Sequence, residues 1–303
     1  MRVLVTGGTG FLGRALCSAL IRRGYDVAVL SRTPSAVRVR CHAAARGVSS
    51  LREAGPVDAV FNLAGAPILD ARWTGARKAL LRNSRVAFTE ALVRQIAEAN
   101  PKPAVLLSGS AVGYYGDTGD TEFDETQPAG DDFASQLCAD WESAAACATG
   151  FGIRVCLLRT GLVLHPTGGL LARLTGPFRL GIGGRLGNGR QSMSWIHLDD
   201  WIALALRLAS DTDAIGPFNL TTPSPVTNAE FTTALGRALS RPTRLPVPAF
   251  ALRLLLGERA SMLLGGQRAL PRKAEQRGHR FCYPTLTAAL ADLRATAWTA
   301  TSE

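Results

Sequence analysis

The fold of this chain is decided near its start, by the stretch Arg2-Val3-Leu4-Val5-Thr6-Gly7-Gly8-Thr9-Gly10-Phe11-Leu12-Gly13. Its apolar first half predicts a buried strand, and the glycines that follow have the spacing G-x-x-G-x-x-G. The first glycine permits a tight turn, the second lets the backbone approach a pyrophosphate, and the third allows close helix–strand packing. A helix predicted over residues 11–23 directs unpaired N–H groups at that phosphate. The alternative is a purely structural turn, but we predict that the stretch forms a dinucleotide site. Its contacts are Gly7, Thr9, Gly10, Phe11, Leu12 and Gly13.

The end of the second predicted strand, residues 26–30, indicates which dinucleotide is bound. An NAD enzyme usually has Asp or Glu there, to bind the ribose hydroxyls. This chain has Ser31 and Arg32, with Arg38 and Arg40 nearby. A guanidinium pairs with a 2′-phosphate, which a carboxylate would repel. The sequence favours NADP over NAD, with Ser31 and Arg32 as contacts; the alternative for Arg32 is a solvated surface arginine.

The composition is that of a soluble globular protein, with 47% hydrophobic and 19% charged residues among 303. The apolar runs are too short to span a bilayer, and because a strand is predicted from residue 2 we expect no signal peptide. We therefore expect no membrane partner. The net charge is +10, but the arginines are scattered and only three of the 34 basic residues are lysines. We attribute this charge to compositional bias, with some of it serving a phosphate-bearing ligand, and expect no nucleic-acid partner.

The six cysteines form no C-x-x-C pair and have no histidine at metal-ligand spacing. Several fall inside predicted helices or strands, where a free cysteine behaves as a small apolar residue. We expect no metal and a reducing, cytoplasmic compartment.

Strands and helices alternate along the first half of the chain. Strands are predicted over residues 58–63, 104–108 and 154–159, and helices over 76–99 and 133–149. Apolar strands alternating with helices predict an α/β fold, a doubly wound parallel sheet covered on both faces. Ligands bind such sheets beyond the carboxyl ends of the strands, where the chain places Leu63, Ala64, Gly65 and Ser108 as further cofactor contacts.

The pattern predicts three units. Residues 1–165 form the dinucleotide-binding domain, to which a strand from the C-terminal half returns. Residues 166–241 form a substrate lobe with the returning elements, including a helix that begins with a capping box over residues 227–230. Residues 242–296 form a small helical domain that we expect to pack on the lobe. Its apolar side chains are expected to be buried: Phe250, Leu252, Leu254, Leu255, Leu263, Leu264, Leu286 and Leu290.

With these elements placed, the chain resembles the extended and atypical short-chain dehydrogenase/reductases. Within them it looks like the epimerase-like branch, the NAD-dependent epimerase/dehydratase family, with a C-terminal domain of unknown function. The resemblance implies an NADP-binding Rossmann domain and leaves the substrate open. It rests on these stretches: 7–13, 62–68, 84–86 with Thr89, 108–116, 137–142, 183–199, 265–268, 270–272 and 281–286.

Most catalytic members of that superfamily use a tyrosine followed four residues later by a lysine. The lysine lowers the tyrosine pKa so that the phenol exchanges a proton near neutral pH. The chain has four tyrosines, and none has this lysine; the residues four positions on are Val29, Thr118, Gly119 and Thr287. In the helix where the pair should lie, the candidate positions hold Ala134 with Cys138, or Phe133 with Leu137. The standard acid–base pair is therefore absent from the sequence.

The candidate catalytic residues are Ser110, Tyr114 and Tyr115. The resemblance implies that Ser110 holds the substrate oxygen. Either tyrosine is a candidate proton donor, although its pKa is expected to stay near about 10 without the lysine; the alternative is aromatic packing over the cofactor ring. His197 is either an acid–base or part of a structural segment in which Asp199 caps a helix.

Arg85 is predicted to face the cleft, where it would contact an anion of the cofactor or of the substrate, or neither. We include it among the cofactor contacts. Two functions remain open at this point. One is an NADP-dependent, epimerase-like oxidoreductase for a small hydroxylated or carbonyl substrate, in a chain that would form a homodimer. The other is an NADP-binding regulatory or scaffold protein without turnover.

Overall fold

The computed structural model describes residues 1–295. Its strands are β1 (Arg2–Thr6), β2 (Asp26–Leu30), β3 (Arg46–Val48), β4 (Ala59–Asn62), β5 (Val105–Ala111), β6 (Glu122–Phe123), β7 (Arg154–Thr160), β8 (Leu162–Leu164), β9 (Ser192–Met193), β10 (Trp195–His197), β11 (Gly216–Leu220), β12 (Val226–Thr227) and β13 (Arg268–Ala269). Its α-helices are α1 (Phe11–Arg22), α2 (Val37–Arg40), α3 (Leu51–Ala54), α4 (Gly75–Arg82), α5 (Phe88–Glu98), α6 (Phe133–Ala146), α7 (Gly169–Arg179), α8 (Leu198–Ser210), α9 (Asn228–Ala238), α10 (Ala249–Leu256), α11 (Ser261–Leu264), α12 (Arg272–Gln276) and α13 (Leu286–Leu293).

The main sheet has the order β3-β2-β1-β4-β5-β7-β11, and every neighbouring pair in it is parallel. Alternate side chains of a strand reach opposite faces: Val3 and Val5 pack with Trp201 of α8, whereas Leu4 packs with Ile96 of α5. The predicted doubly wound α/β architecture is confirmed. The strand order reverses between β1 and β4, and ligand crevices of such sheets open at this point.

Two predicted helices differ in detail from the structure. The helix expected over residues 76–99 consists of α4 and α5 joined by a π-helical turn, Asn83–Ala87. The helix expected over residues 133–149 ends as α6 at Ala146 and continues as a 3₁₀ turn. β11 returns from the C-terminal half and pairs with β7, and the capping box before α9 is confirmed by reciprocal bonds between Thr227 and Glu230.

Residues 166–241, the unit predicted as a substrate lobe, share one core with the C-terminal helices. Trp195 and Phe231 of the lobe pack with Leu290 of α13. The expected burial of α10 is wrong in part, because Phe250, Leu254 and Leu255 are 72%, 75% and 66% exposed. Of the eight residues of this helix, Leu252 is the one that is buried. Residue 296, the end of the predicted third unit, lies outside the described residues. Within residues 1–295, no helix is both long and apolar enough to cross a membrane.

Candidate cofactor and substrate site

In the turn between β1 and α1, a side chain at Gly7 or at Gly13 would collide with backbone atoms. Gly7 has a φ of +69°, and a Cβ there would lie 2.6 Å from the Leu63 carbonyl oxygen. A Cβ on Gly13 would lie 2.2 Å from the Gly7 carbonyl oxygen. A Cβ on Gly10 would meet only that same oxygen, at 3.2 Å, so its other side is open. This arrangement fits a pyrophosphate lying on exposed backbone at the start of α1.

A buried polar network fixes the strand ends beneath this turn. The Thr6 hydroxyl donates to Asn62 Oδ1 over 2.9 Å and accepts the Ala64 N–H. Asn62 Nδ2 donates to the hydroxyls of Thr89 and Ser108, over 2.8 and 3.1 Å. Ser108 is fully buried and does not line the cavity described next. Ser108 therefore helps to fix the ends of the strands through its bond with Asn62.

A cavity of about 1060 Å³ opens over the carboxyl ends of β1, β4, β5 and β7. The structure brings nine of the predicted site residues to its wall: Gly7, Gly10, Phe11, Leu12, Gly13, Leu63, Gly65, Arg85 and Ser110. Seven others lie outside this wall: Thr9, Ser31, Arg32, Ala64, Ser108, Tyr114 and Tyr115. Thr9 and Arg32 are exposed, and the Ser31 hydroxyl accepts the Thr33 N–H.

The Ser110 hydroxyl is oriented by a buried ion pair. It donates to Glu142 Oε1 over 2.6 Å, and Arg159 donates to both carboxylate oxygens of Glu142 over 2.8 Å. This two-point pairing stabilises the ionised carboxylate, which accepts hydrogen bonds only. The proton of Ser110 is therefore committed to Glu142, and the lone pairs of Oγ are left for a ligand.

The two tyrosines belong to the same network, behind the cavity wall. The Tyr115 hydroxyl donates to Asn219 Oδ1 over 2.6 Å and accepts from Arg159 over 3.0 Å. Burial raises the pKa of Tyr115 to about 12. The Tyr114 ring lies 3.5 Å from the Arg159 guanidinium carbon. This geometry brings neither phenol to the cavity wall, so it supports neither proton donation nor packing over the cofactor ring.

His197 is buried at the start of α8 and is itself the capping residue. Its Nδ1 accepts the Asp199 N–H over 3.2 Å, so the expectation that Asp199 caps the helix is wrong. The imidazole nitrogen of His197 therefore accepts a backbone N–H that has no partner within the first turn of α8. Burial lowers the pKa of His197, and its ring packs 4.0 Å from that of Tyr283. His197 is not in the cavity wall, which agrees with the structural alternative.

The face of α6 that meets the cavity presents Ala134 and Cys138. Burial raises the pKa of Cys138 to about 12, so its thiol is neutral near neutral pH. Cys138 lies beside the Ser110 hydroxyl and within electrostatic reach of Arg85. The positions at which the superfamily has its tyrosine and lysine therefore carry no acid–base group.

Sequence reasoning missed the roles of Glu142 and Arg159. An arginine near the end of β7, directly after the apolar run 155–158, was the available signal, because a buried charge requires a partner. The C-terminal helices complete the wall, with Met262, Leu263 and Leu264 facing the cavity. An ion pair of 2.7 Å between Lys78 and Glu258 ties them to α4. Residues 1–295 contain no cluster of His, Cys, Asp or Glu that could hold a metal ion.

Comparisons with known proteins agree with this architecture. The model of the NAD dependent epimerase/dehydratase family matches residues 3–220, and that of a domain of unknown function, DUF1731, matches residues 247–293. Epimerase family protein Mb2239 of Mycobacterium bovis is 45% identical over 290 residues, which cover 95% of this chain and 96% of that protein. Mouse epimerase family protein SDR39U1 is 41% identical over 300 residues, with 97% and 99% covered.

Solved structures show the same fold. The crystal structure of human epimerase family protein SDR39U1 (isoform 2) with NADPH has a TM-score of 0.89 at 35% identity, covering 98% of this chain and 100% of that one. UDP-glucose 4-epimerase of Thermotoga maritima has a TM-score of 0.82 at 19% identity, with both chains fully covered, and shows the fold alone. The resemblance predicted from the motifs is confirmed: the chain belongs to the NAD-dependent epimerase/dehydratase family and carries the DUF1731 domain at its C-terminal end.

Proposed function

We propose that this protein binds NADP(H) and acts as an epimerase-like oxidoreductase on a small hydroxylated or carbonyl substrate. The observation that carries the proposal is the continuous cavity, whose wall runs from the glycine turn to Ser110. A dinucleotide on the turn and a substrate oxygen at Ser110 would share this enclosure. The human relative crystallised with NADPH supports the choice of cofactor.

Backbone and small residues would hold the cofactor. The glycine turn, with Thr9, Phe11 and Leu12, would receive the pyrophosphate, and Leu63 to Gly65 would line the adjoining ribose. The Ala64 N–H is already bonded to Thr6, so Ala64 would contribute its methyl group or carbonyl oxygen. Ser31 and Arg32 would bind the 2′-phosphate. When bound, NADPH supplies the hydride.

Ser110 would orient the substrate by accepting a hydrogen bond. Because its own proton is donated to Glu142, Oγ best binds the hydroxyl form of the substrate, whose O–H donates. Arg159 and Glu142 hold Ser110 in this orientation from behind. Tyr114 and Tyr115 lie outside the cavity wall, so we assign them to this support.

The regulatory or scaffold function is favoured by one observation. Ala134 and Cys138 face the cavity without an acid–base group between them. A protein that binds NADP without turning over a substrate needs the glycine turn and has no need of such a group.

Turnover assays distinguish the two functions. NADPH oxidation and NADP⁺ reduction are followed with panels of aldehydes, ketones and secondary alcohols. For any substrate found, Ser110→Ala should lower kcat/KM by about tenfold or more with NADPH affinity unchanged. Ser143→Ala, an exposed serine on the same helix as Glu142, is the control and should have no effect. Intact turnover in Ser110→Ala would remove Ser110 from the site; micromolar NADPH binding with no turnover would favour the regulatory function.

A further inference from the structure

We propose that the substrate is an uncharged alcohol or ketone with an apolar body, such as an alkyl chain or a hydrocarbon ring, and not a nucleotide sugar. The inference rests on the proposed function, because it names the substrate class of the same cavity. It follows from the part of the cavity wall that α7, α9 and α11 contribute, which we call the lobe wall. Its apolar side chains are Leu170, Leu174, Phe178, Phe231, Met262 and Leu264.

The lobe wall presents apolar surface that the protein itself does not cover. Leu170, Leu174 and Met262 are half-buried, and each faces the cavity. They come from two different helices, so a ligand between them would be enclosed by hydrocarbon from more than one side. Binding an apolar group here removes apolar surface of both ligand and wall from water, which favours binding in proportion to the area buried.

The side-chain amides of the cavity wall form their hydrogen bonds within the protein. Gln191 Nε2 donates to the carbonyl oxygens of Leu186 and Leu263, over 3.1 and 2.9 Å. Asn228 Oδ1 accepts the Leu186 N–H over 2.8 Å. Gln267 Nε2 donates to a backbone carbonyl oxygen over 2.6 Å. These amides hold the segments of the wall together, and a row of sugar hydroxyls would find few free partners among them.

Most hydroxyls of the wall are committed in the same way. Ser194 and Ser261 donate to backbone carbonyl oxygens over 2.8 and 2.9 Å, and Ser110 donates to a carboxylate. Ser192 and Thr232 line the cavity and form no side-chain hydrogen bond with the rest of residues 1–295. The wall can therefore satisfy an isolated hydroxyl or carbonyl group. A body with many hydroxyls would lose hydrogen bonds to water that the wall does not replace.

The charges of the wall do not suit a diphosphate. Within residues 1–295, the charged side chains that line the cavity are Arg85, Asp117, Asp132, Arg253 and Glu258. Arg85 lies against the cofactor segment, because a Cβ on Gly65 would be 3.0 Å from its Cζ. The other four are three carboxylates and Arg253, which is exposed to solvent. A second anion beside the cofactor would therefore meet mainly like charges.

The test is a calorimetric titration of the NADPH-saturated protein with 2-butanol, 2-hexanol and 2-octanol, and with glucose and UDP-glucose as polar probes. No hydride can be transferred, because cofactor and alcohol are both in the reduced form. We expect each added methylene to tighten binding by about two- to fourfold, so that 2-octanol binds about 15- to 250-fold more tightly than 2-butanol. Glucose and UDP-glucose should each bind at least about tenfold more weakly than 2-octanol.

A pair of leucine variants assigns this preference to the lobe wall. Leu174→Asn places an amide where the alkyl chain would lie, and should reduce the preference for 2-octanol over 2-butanol by about fivefold or more. Its NADPH affinity should stay within about twofold, which also shows that the variant is folded. Leu180→Asn is the matched control: Leu180 follows α7, is 77% exposed and does not line the cavity, so this variant should keep the full preference.

Three results would overturn the inference. They are equal or absent binding of the three alcohols by the unaltered protein, tighter binding of glucose or UDP-glucose than of 2-octanol, and a preference changed to the same extent in the two variants. The first two need no variant, so a folding defect leaves the inference testable. A protein that binds 2-octanol in this way but turns over no substrate contradicts the proposed function alone. One that turns over only polar or charged substrates contradicts the inference alone.

Discussion

The glycine turn and helix α6 form two sides of one cavity, and they are built on different principles. The turn is a single local stretch in which Gly7 and Gly13 make contact through backbone, with no space for a Cβ. Helix α6 presents Ala134 and Cys138, and the polar groups beside it come from β5, β7 and the π-helical turn. Cofactor binding here depends on backbone shape, whereas any chemistry depends on side chains brought together from distant segments.

The largest expected effect follows from breaking the support of α6. Glu142→Gln leaves Arg159 buried with no anionic partner, and should lower the free energy of unfolding by about 3–5 kcal/mol. Asp140→Asn, two residues earlier, breaks an exposed ion pair with Arg82 and should cost at most about 1 kcal/mol. Urea denaturation measures both; equal losses would show that the buried pair does not support this side of the cavity.

Alkaline pH tests the same network without removing it. The pKa of Tyr115 is raised to about 12, whereas an unfolded tyrosine ionises near about 10. The unfolded chain therefore releases this proton first, and the stability present below pH 10 is lost as pH rises towards 12, by up to about 3 kcal/mol. Tyr115→Phe should flatten this loss between about pH 10 and 12; an unchanged slope would contradict it. Tyr283 and Cys138, whose pKa values are also raised to about 12, and Cys156, whose pKa is raised to about 11, would contribute a remaining slope.

The cofactor side of the cavity is tested through the charge of Arg32, which follows β2. Arg32→Ala should weaken NADPH binding by about 10- to 150-fold and leave NADH nearly unchanged, because only NADPH carries the 2′-phosphate. Arg94→Ala, an exposed arginine elsewhere, is the matched control. Equal losses for both cofactors would remove Arg32 from the 2′-phosphate site.

The two sides also differ in how far the sequence predicted them. The glycine spacing, the apolar strands and the family motifs are local, and they predicted the sheet and the turn correctly. The partner of Ser110 is Glu142, 32 residues away, and the pair is completed by Arg159 from another strand. No spacing rule connects these three, because only the packing of α6 on the sheet brings them together. The exposure of Phe250 on α10 was not predicted either, because it too depends on tertiary packing and not on a local pattern.

The central claim is that cofactor binding and substrate orientation reside on separate sides of the cavity. Calorimetric titration of NADPH into the unaltered protein, Gly13→Ala and Ser110→Ala tests it most directly. A Cβ at residue 13 would lie 2.2 Å from the Gly7 carbonyl oxygen and must displace the turn. The account predicts one NADPH per chain, an affinity reduced by at least about tenfold in Gly13→Ala, and an affinity unchanged within about twofold in Ser110→Ala. Equal losses in the two variants, or no binding by the unaltered protein, would contradict it.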